Sequence, residues 1–314
     1  MDIYKEEDIR QHVSISKAAL TKIEEAFRHL YKGGVSQPPV IHVDVPEYNG
    51  EADIKTAYIP GFDTFAIKVS AGFFYNPQKG LPSLGGLMLA MASETGVPRA
   101  LLQDNGYLTD VRTALAGAIA ADQLAAKDIA SVGVIGTGLQ ARLQVEALQL
   151  VRSFHEVHVY GRTPENVKKY QQEMEEKYDL TVRLAESAEE VVRGNDLVVT
   201  TTPAQEPLIE ADWLHDGLHI TAMGSDAAGK QELSPDIFSK ADLVVGDLAS
   251  QVFSIGELQH AKDVNENDIT ELGKILSGDA SGRTKDQQVT VADLTGTGVQ
   301  DTAIANYALE QMRR

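Results

Sequence analysis

One short stretch restricts the possible folds more than any other. The apolar run Ser131-Val-Gly-Val-Ile135 leads directly into Gly136-Thr137-Gly138-Leu139-Gln140-Ala141, which opens an amphipathic helix. Strand, glycine turn and helix in that order form a cradle for a pyrophosphate. Gly136 permits the tight turn, Gly138 lets the backbone approach the phosphates, and Ala141 lets the helix pack close to the strand. The helix N-terminus adds free N–H groups and a partial positive charge. By itself the glycine pattern also fits a plain tight turn, so the residues that follow have to decide.

They continue as alternating strands and helices. Glu156-Val-His-Val-Tyr160 is the next strand, and a helix with proline in its first turn runs from Pro164 to Tyr178. Asp196–Thr200, His219–Ala222 and Asp242–Gly246 extend the series. Such alternation predicts a parallel, doubly wound sheet of the Rossmann type, and with it dinucleotide binding. In NAD sites the end of the second strand usually carries an acid for the adenosine ribose. Here it reads Tyr160-Gly161-Arg162-Thr163. Arg162 can stack on adenine and, with Thr163, hold a 2′-phosphate, which favours NADP over NAD. The plainer reading leaves Arg162 facing solvent.

The N-terminal third has a different style. Leu20, Ile23, Ala26, Phe27 and Leu30 fall at helical spacing, and Lys32-Gly33-Gly34 ends that run. Residues 40–45, 53–58, 65–69 and 86–92 then read as short strands separated by Pro, Gly and Asn, which predicts an antiparallel sheet. An alanine-rich helix is predicted from Thr109 to Ala126, a helix after the glycine turn to about Arg152, and a strand and last helix between Val289 and Arg314. The 314 residues suffice for two domains.

Composition excludes several classes of function. The chain has no cysteine, so disulfides, thiolate nucleophiles and Cys-based zinc sites are out. A formal net charge of −18 repels nucleic acid and anionic membranes. No apolar run approaches the ~20 residues that span a bilayer. The polar, acidic N-terminus lacks the features of a signal or transit peptide, so a cytoplasmic location is the default expectation. His215 and His219 stand four apart but flank Gly217 at a turn, so no metal site is expected.

Several further motifs stand in order along nearly the whole chain. They are Phe65-Ala-Ile-Lys68-Val, Gly80-Leu-Pro-Ser83, Thr109-Asp-Val-Arg112-Thr-Ala, the Gly136–Ala141 turn, Met223-Gly224-Ser225-Asp226-Ala-Ala-Gly-Lys230 and Asp293-Leu-Thr-Gly-Thr-Gly-Val-Gln300-Asp301. With them the chain resembles the ornithine cyclodeaminase/mu-crystallin family. That family includes cyclodeaminases, ketimine and imino-acid reductases, and an alanine dehydrogenase branch. The run from Asp293 to Ala303 also looks like the branch associated with ectoine utilisation and iminosuccinate reduction.

The resemblance implies a homodimer joined through an α+β substrate domain built from both chain ends, residues 1–112 and 296–314, with the dinucleotide domain at 113–295. It implies that Lys68 and Arg112 grip a substrate α-carboxylate beside the nicotinamide, in a cleft between domains, and that Asp226 orients or protonates the substrate nitrogen. A cationic clamp of this kind fixes a planar carboxylate for hydride transfer. The plain alternatives are an edge-strand charge for Lys68 and a helix N-cap for Asp226. Thr201, Thr202, Pro203, Ala222, Met223, Gly224 and Lys230 join the expected cofactor set, as do Ser83 and Arg112; Gln300 is assigned to the same cleft.

Two departures bear on the substrate. Family members often carry an arginine near residues 42–44; this chain offers His42 as the substitute. Ornithine cyclodeaminases place a carboxylate where this chain has Lys55, and a cation there repels a diamine and attracts a second carboxylate. An exposed strand residue is the other reading of Lys55. The sequence therefore predicts an NAD(P)H-dependent reductase of a small imino acid, preferably a dicarboxylic imine such as iminosuccinate, reduced to aspartate. An ornithine-type cyclodeaminase or alanine-type dehydrogenase is the alternative, and a non-enzymatic, crystallin-like NADP-binding protein the second.

Overall fold

Period-two alternation shapes the first of two units, Met1–Thr113 with Thr297–Arg314. The computed structural model describes residues 1–313. The unit begins with β1 (Asp2–Lys5), α1 (Glu6–His12) and α2 (Lys17–Lys32), followed by strands β2 (Ile41–Val45), β3 (Gly50–Ala57), β4 (Thr64–Phe73), β5 (Leu84–Ala92) and β6 (Pro98–Gln103). Helix α3 (Tyr107–Leu124) starts in this unit and runs into the second. Ser16 caps α2 by accepting from the Ala19 N–H, and Gly33, with φ of 86°, ends it.

The sheet order is β1-β6-β5-β4-β3-β2. Strands β2 to β6 pair antiparallel, as the short alternating runs predict, but β1 joins β6 in parallel. The chain leaves β1 through two helices before it returns, and a parallel pair needs such a long connection. One sheet face carries the buried residues Ala57, Ala66, Met88, Ala90, Ala100 and Leu102. The C-terminal helix (Gly298–Met312) packs on β3 and β4 and against α2. Thr302 fixes its height: the Thr302 hydroxyl donates to the Ala57 carbonyl at 2.7 Å and accepts from the Ala66 N–H at 3.0 Å. The opposite face is apolar as well. Its cross-strand rows run Ile41, Ile54, Val69, Leu87 and Ile67, Leu89, Leu101, Ile3, and Ile3, Ile41 and Leu87 are exposed.

The second unit, Ala114–Gly296, holds the βα alternation. In chain order it contains β7 (Ser131–Ile135), α4 (Leu139–Leu148), β8 (Glu156–Tyr160), α5 (Pro164–Lys177), β9 (Thr181–Leu184), α6 (Ala188–Arg193), β10 (Leu197–Thr200), β11 (Gln205–Ile209), β12 (His219–Ala222), β13 (Gln231–Leu233), α7 (Asp236–Lys240), β14 (Leu243–Gly246), α8 (Ala249–Ile255), β15 (Thr270–Glu271), α9 (Leu272–Leu276) and β16 (Thr290–Asp293). Eight strands form one sheet, β15-β14-β16-β12-β10-β7-β8-β9, with every pairing parallel. Strands β11 and β13 form a separate parallel pair. The strand order reverses between β7 and β10, so the switch point, where ligands bind in such sheets, lies at their C-terminal ends.

Helix α4 stops at Leu148, short of the predicted Arg152. Arg152 serves instead as a cap for α3, donating to the carbonyls of Ala121, Asp122, Ala125 and Ala126. Among the described residues no helix is long and apolar enough to cross a membrane.

Candidate active site

The first unit buries a cluster of charge. Lys55 on β3 and Lys68 on β4 are direct cross-strand partners, so both side chains leave the same sheet face, the one covered by the C-terminal helix. They are 6% and 2% exposed, and Arg112 on α3 is 5% exposed. Asp301, fully buried on the C-terminal helix, joins two of them: Lys68 Nζ stands 3.0 Å from Oδ2 and Arg112 Nε 3.0 Å from Oδ1. Like charges directly opposite in a sheet are destabilising. Neither lysine is an edge-strand charge facing water, because β3 and β4 are both interior strands.

Burial lowers the Lys68 ammonium to a pKa of about 7; Asp301 opposes that shift, and Arg112 and Lys55 reinforce it. Burial pushes the Asp301 carboxyl up, but Lys68, Arg112 and Lys55 more than reverse this and hold it below the usual carboxylate range. A second acid completes the cluster. Asp104 is buried, accepts from the Leu108 N–H at 2.8 Å through Oδ2, and leaves Oδ1 without a hydrogen-bond partner. Burial raises its pKa to about 6, against the pull of its backbone hydrogen bonds and of Lys68. Three cations thus face two acids, one of them easily protonated. A cluster of this composition has the charge to receive an anion, and carboxylate and phosphate both match an ammonium and a guanidinium.

The second unit supplies a cradle. Gly136 has φ of 123°, and a Cβ there would come within 2.5 Å of Thr201 Oγ1, so only glycine fits. A Cβ on Gly138 would meet nothing within 4 Å, which leaves the turn open on that side. Gly138 is also the N-cap of α4 and has no side chain to satisfy the first-turn N–H groups, which suits a pyrophosphate. Ala141 is fully buried against the sheet. Arg142 braces the turn: it donates to the Thr137 and Gly138 carbonyls at 2.6 and 2.9 Å and pairs with Glu173 of α5. These features fit a dinucleotide.

The structure brings Gly136–Ala141, Thr201–Pro203 and Ala222–Gly224 to the C-terminal ends of β7, β10 and β12, three adjacent strands. Arg162 and Thr163 lie exposed beyond the end of β8, and a Cβ on the intervening Gly161 would strike Thr137 Cγ2 at 2.8 Å, so this corner closes on the glycine turn. Asp226 follows β12, caps no helix, and pairs with Lys230 at 2.7 Å. Lys55, Lys68, Arg112 and Ser83 belong to the first unit.

His42, opposite Asp53, leaves the same sheet face as Lys55 and Lys68 but hydrogen-bonds acids of its own strand pair. It sits on the edge strand β2 and hydrogen-bonds Asp53 at 2.7 Å and Asp44 at 3.0 Å, which raise its pKa above the usual imidazole value. Gln300 closes a capping box with Thr297 at the start of the C-terminal helix.

Sequence reasoning assigns no role to Asp301, Asp104 or Glu232. Asp301 stands inside a quoted motif, yet its partner Arg112 is 189 residues away, so no local spacing reveals it. The acid-Asn-Gly run before α3 is the one local sign of Asp104, as a helix start.

The sequence model of the ornithine cyclodeaminase/mu-crystallin family matches residues 1–314. An uncharacterized cyclodeaminase of Sinorhizobium fredii is 44% identical, over 99% of this chain and 96% of its own. The iminosuccinate reductase of Paracoccus denitrificans is 32% identical, over 94% and 91%. Among solved structures, the Thermococcus litoralis Delta(1)-pyrroline-2-carboxylate reductase in complex with NADH and L-proline superposes with a TM-score of 0.93 at 30% identity, covering 99% of this chain and 97% of that one. An archaeal alanine dehydrogenase dimer with bound NAD gives 0.92 at 33% identity, covering 99% and 95%. By its glycine turn, its charged motifs and a match along its entire length, the chain belongs to the ornithine cyclodeaminase/mu-crystallin family.

Proposed function

We propose that this chain is an NAD(P)H-dependent reductase of a small imino acid, and that its substrate is a dicarboxylic imine such as iminosuccinate, reduced to aspartate. The observation that carries this reading is the buried cross-strand pair Lys55 and Lys68 beside Arg112. Lys68 and Arg112 already share one acid, Asp301. In this reading they take the α-carboxylate, and Lys55 takes the second carboxylate.

The bound nucleotide supplies hydride to the C=N carbon. The turn Gly136–Ala141 holds its pyrophosphate, Thr201–Pro203 and Ala222–Gly224 line its path, and Arg162 and Thr163 take its adenosine end. Asp226 stabilises the protonated substrate nitrogen, which makes the adjacent carbon electrophilic; as hydride adds there, the C=N π electrons move onto nitrogen, which stays bonded to the carbon as the product amine. Arg162 and Thr163 favour a 2′-phosphate, hence NADP, whereas the two similar structures hold NADH and NAD.

A second copy of the chain covers the apolar outer face of the first unit's sheet. A contiguous patch of that kind is rare on a monomer, and the archaeal alanine dehydrogenase is a dimer. Light scattering should give twice the chain mass.

The deciding experiment follows NADH and NADPH oxidation side by side, with oxaloacetate, pyruvate or glyoxylate plus ammonia, with cyclic imines, and with ornithine scored for proline. The expected result is fastest turnover with oxaloacetate and ammonia. The 44% identical relative carries the name cyclodeaminase, which keeps a second reading alive. Proline from ornithine without net nucleotide turnover would replace the first reading with the second.

A further inference from the structure

Glu232 is fully buried on the three-residue strand β13, yet its carboxylate reaches the ends of two strands of the main sheet. Oε1 accepts from the Thr202 N–H at 2.6 Å. Oε2 accepts from the Thr200 hydroxyl at 2.6 Å and from the Gly224 N–H at 2.8 Å. Thr202 follows β10 and Gly224 follows β12, so a single side chain ties together two of the three segments that line the nucleotide path. The approach is close enough to dictate sequence: a Cβ on Gly224 would lie 2.1 Å from the Thr202 carbonyl and 2.5 Å from Glu232 Oε2.

Glu232 is itself held from behind. Its own N–H and that of Leu233 donate to the two oxygens of buried Glu257, at 2.8 and 2.9 Å. The backbone donors Thr202 and Gly224 fall on different oxygens of Glu232. An amide in its place would turn its NH₂ toward one of those N–H groups and release that loop.

We propose that Glu232 is a positioning residue for the nucleotide, setting the ends of β10 and β12 at the spacing the cofactor needs. This rests on the functional reading above. Glu232 touches neither cofactor nor substrate; it acts through Thr202 and Gly224.

The test is a fluorescence titration of NADH and NADPH into the full-length wild type, Glu232→Gln and Thr200→Val, with thermal melts and imine KM values for each. Losing a charged hydrogen bond to one loop should raise the nucleotide Kd of Glu232→Gln by about tenfold or more. Thr200→Val removes one hydroxyl donor of similar shape and should raise it about threefold. The imine KM, set for its carboxylates by Lys55, Lys68 and Arg112 of the other unit and touched only through Asp226 in this one, should rise clearly less than the nucleotide Kd in both.

A folded Glu232→Gln with wild-type nucleotide affinity overturns the proposal. So does an equal loss in nucleotide Kd and imine KM, which marks general loosening. If Glu232→Gln does not fold, an unchanged Kd in Thr200→Val overturns it. A wild type that binds neither nucleotide sinks the functional reading, and the role of Glu232 with it; wild-type binding with unaltered variants sinks the role of Glu232 alone.

Discussion

The two units bury charge in opposite ways. In the first, three cations, Lys55, Lys68 and Arg112, gather around Asp301 and Asp104. In the second, the buried ionisable groups near the strand ends are acids: Glu232, Asp247, Glu257 and Asp293. Backbone N–H groups meet these acids. Asp247 accepts from Leu248, Thr295 and Gly296, and Asp293 from Leu258. An acid that accepts several backbone N–H groups fixes loops. Cations gathered around shared acids match an anionic substrate in charge, the role proposed for them above.

The largest effect that sharpens this contrast comes from Lys68→Met. It removes one partner of a buried ion pair and one side of the carboxylate grip, so kcat/KM for the imine should fall about a thousandfold. Nucleotide Kd, measured by titration, should not change. A matching loss of nucleotide affinity would erase the division of labour between the units.

Asp301→Asn comes next. It removes the group that opposes the fall of the Lys68 pKa, so that pKa drops below about 7. In the wild type, carboxylate affinity should decline as pH rises through about 7, because Lys68 loses its proton there. In the variant the decline should begin about one pH unit lower. A pH profile of the dissociation constant of an unreactive dicarboxylate checks the shift; an unmoved profile would show that Asp301 does not govern Lys68.

The acids of the second unit predict a stability effect of definite sign. Burial, reinforced by neighbouring acids, pushes Glu257 up to about 9; burial against the pull of backbone hydrogen bonds takes Asp293 up to about 8. Both bind a proton in the folded chain at pH values where the unfolded chain has released it. Their contribution is therefore complete below about pH 4 and is lost as pH rises through 8 to 9. The melting temperature should drop by roughly 5 °C between pH 6 and pH 9.5. Glu257→Gln should flatten that slope, and an unchanged slope would remove these acids from the account.

The smallest effect concerns the adenosine corner. Arg162→Ala should raise the KM for NADPH about tenfold and leave that for NADH within about twofold. Equal changes would mean that Arg162 merely faces solvent.

The same contrast explains what could be read from the sequence. The parallel sheet and its glycine turn are legible because their determinants are local: Gly136 needs a left-handed φ, Val132 and Val134 alternate just before it, and Val157 and Val159 alternate within the next strand. The family is legible because six charged and glycine-bearing motifs keep their order. Strands β9, β11 and β13 are four, five and three residues long and carry no clear period. The parallel pairing of β1 with β6 joins segments nearly a hundred residues apart, beyond any local pattern. Lys55 and Lys68 are each visible, but the register that sets them face to face depends on the shape of the intervening loop. Asp301 and Glu232 act only through partners distant in sequence, so their roles emerge from the fold.

The most direct test of the anion-seeking cluster is calorimetric titration of succinate and propionate into the nucleotide-bound wild type and Lys55→Glu. The wild type should prefer succinate, and the variant should lose about a hundredfold on succinate while propionate shifts only a few-fold. An equal loss on both acids, or a wild type that does not distinguish them, would contradict the claim that Lys55 receives a second carboxylate.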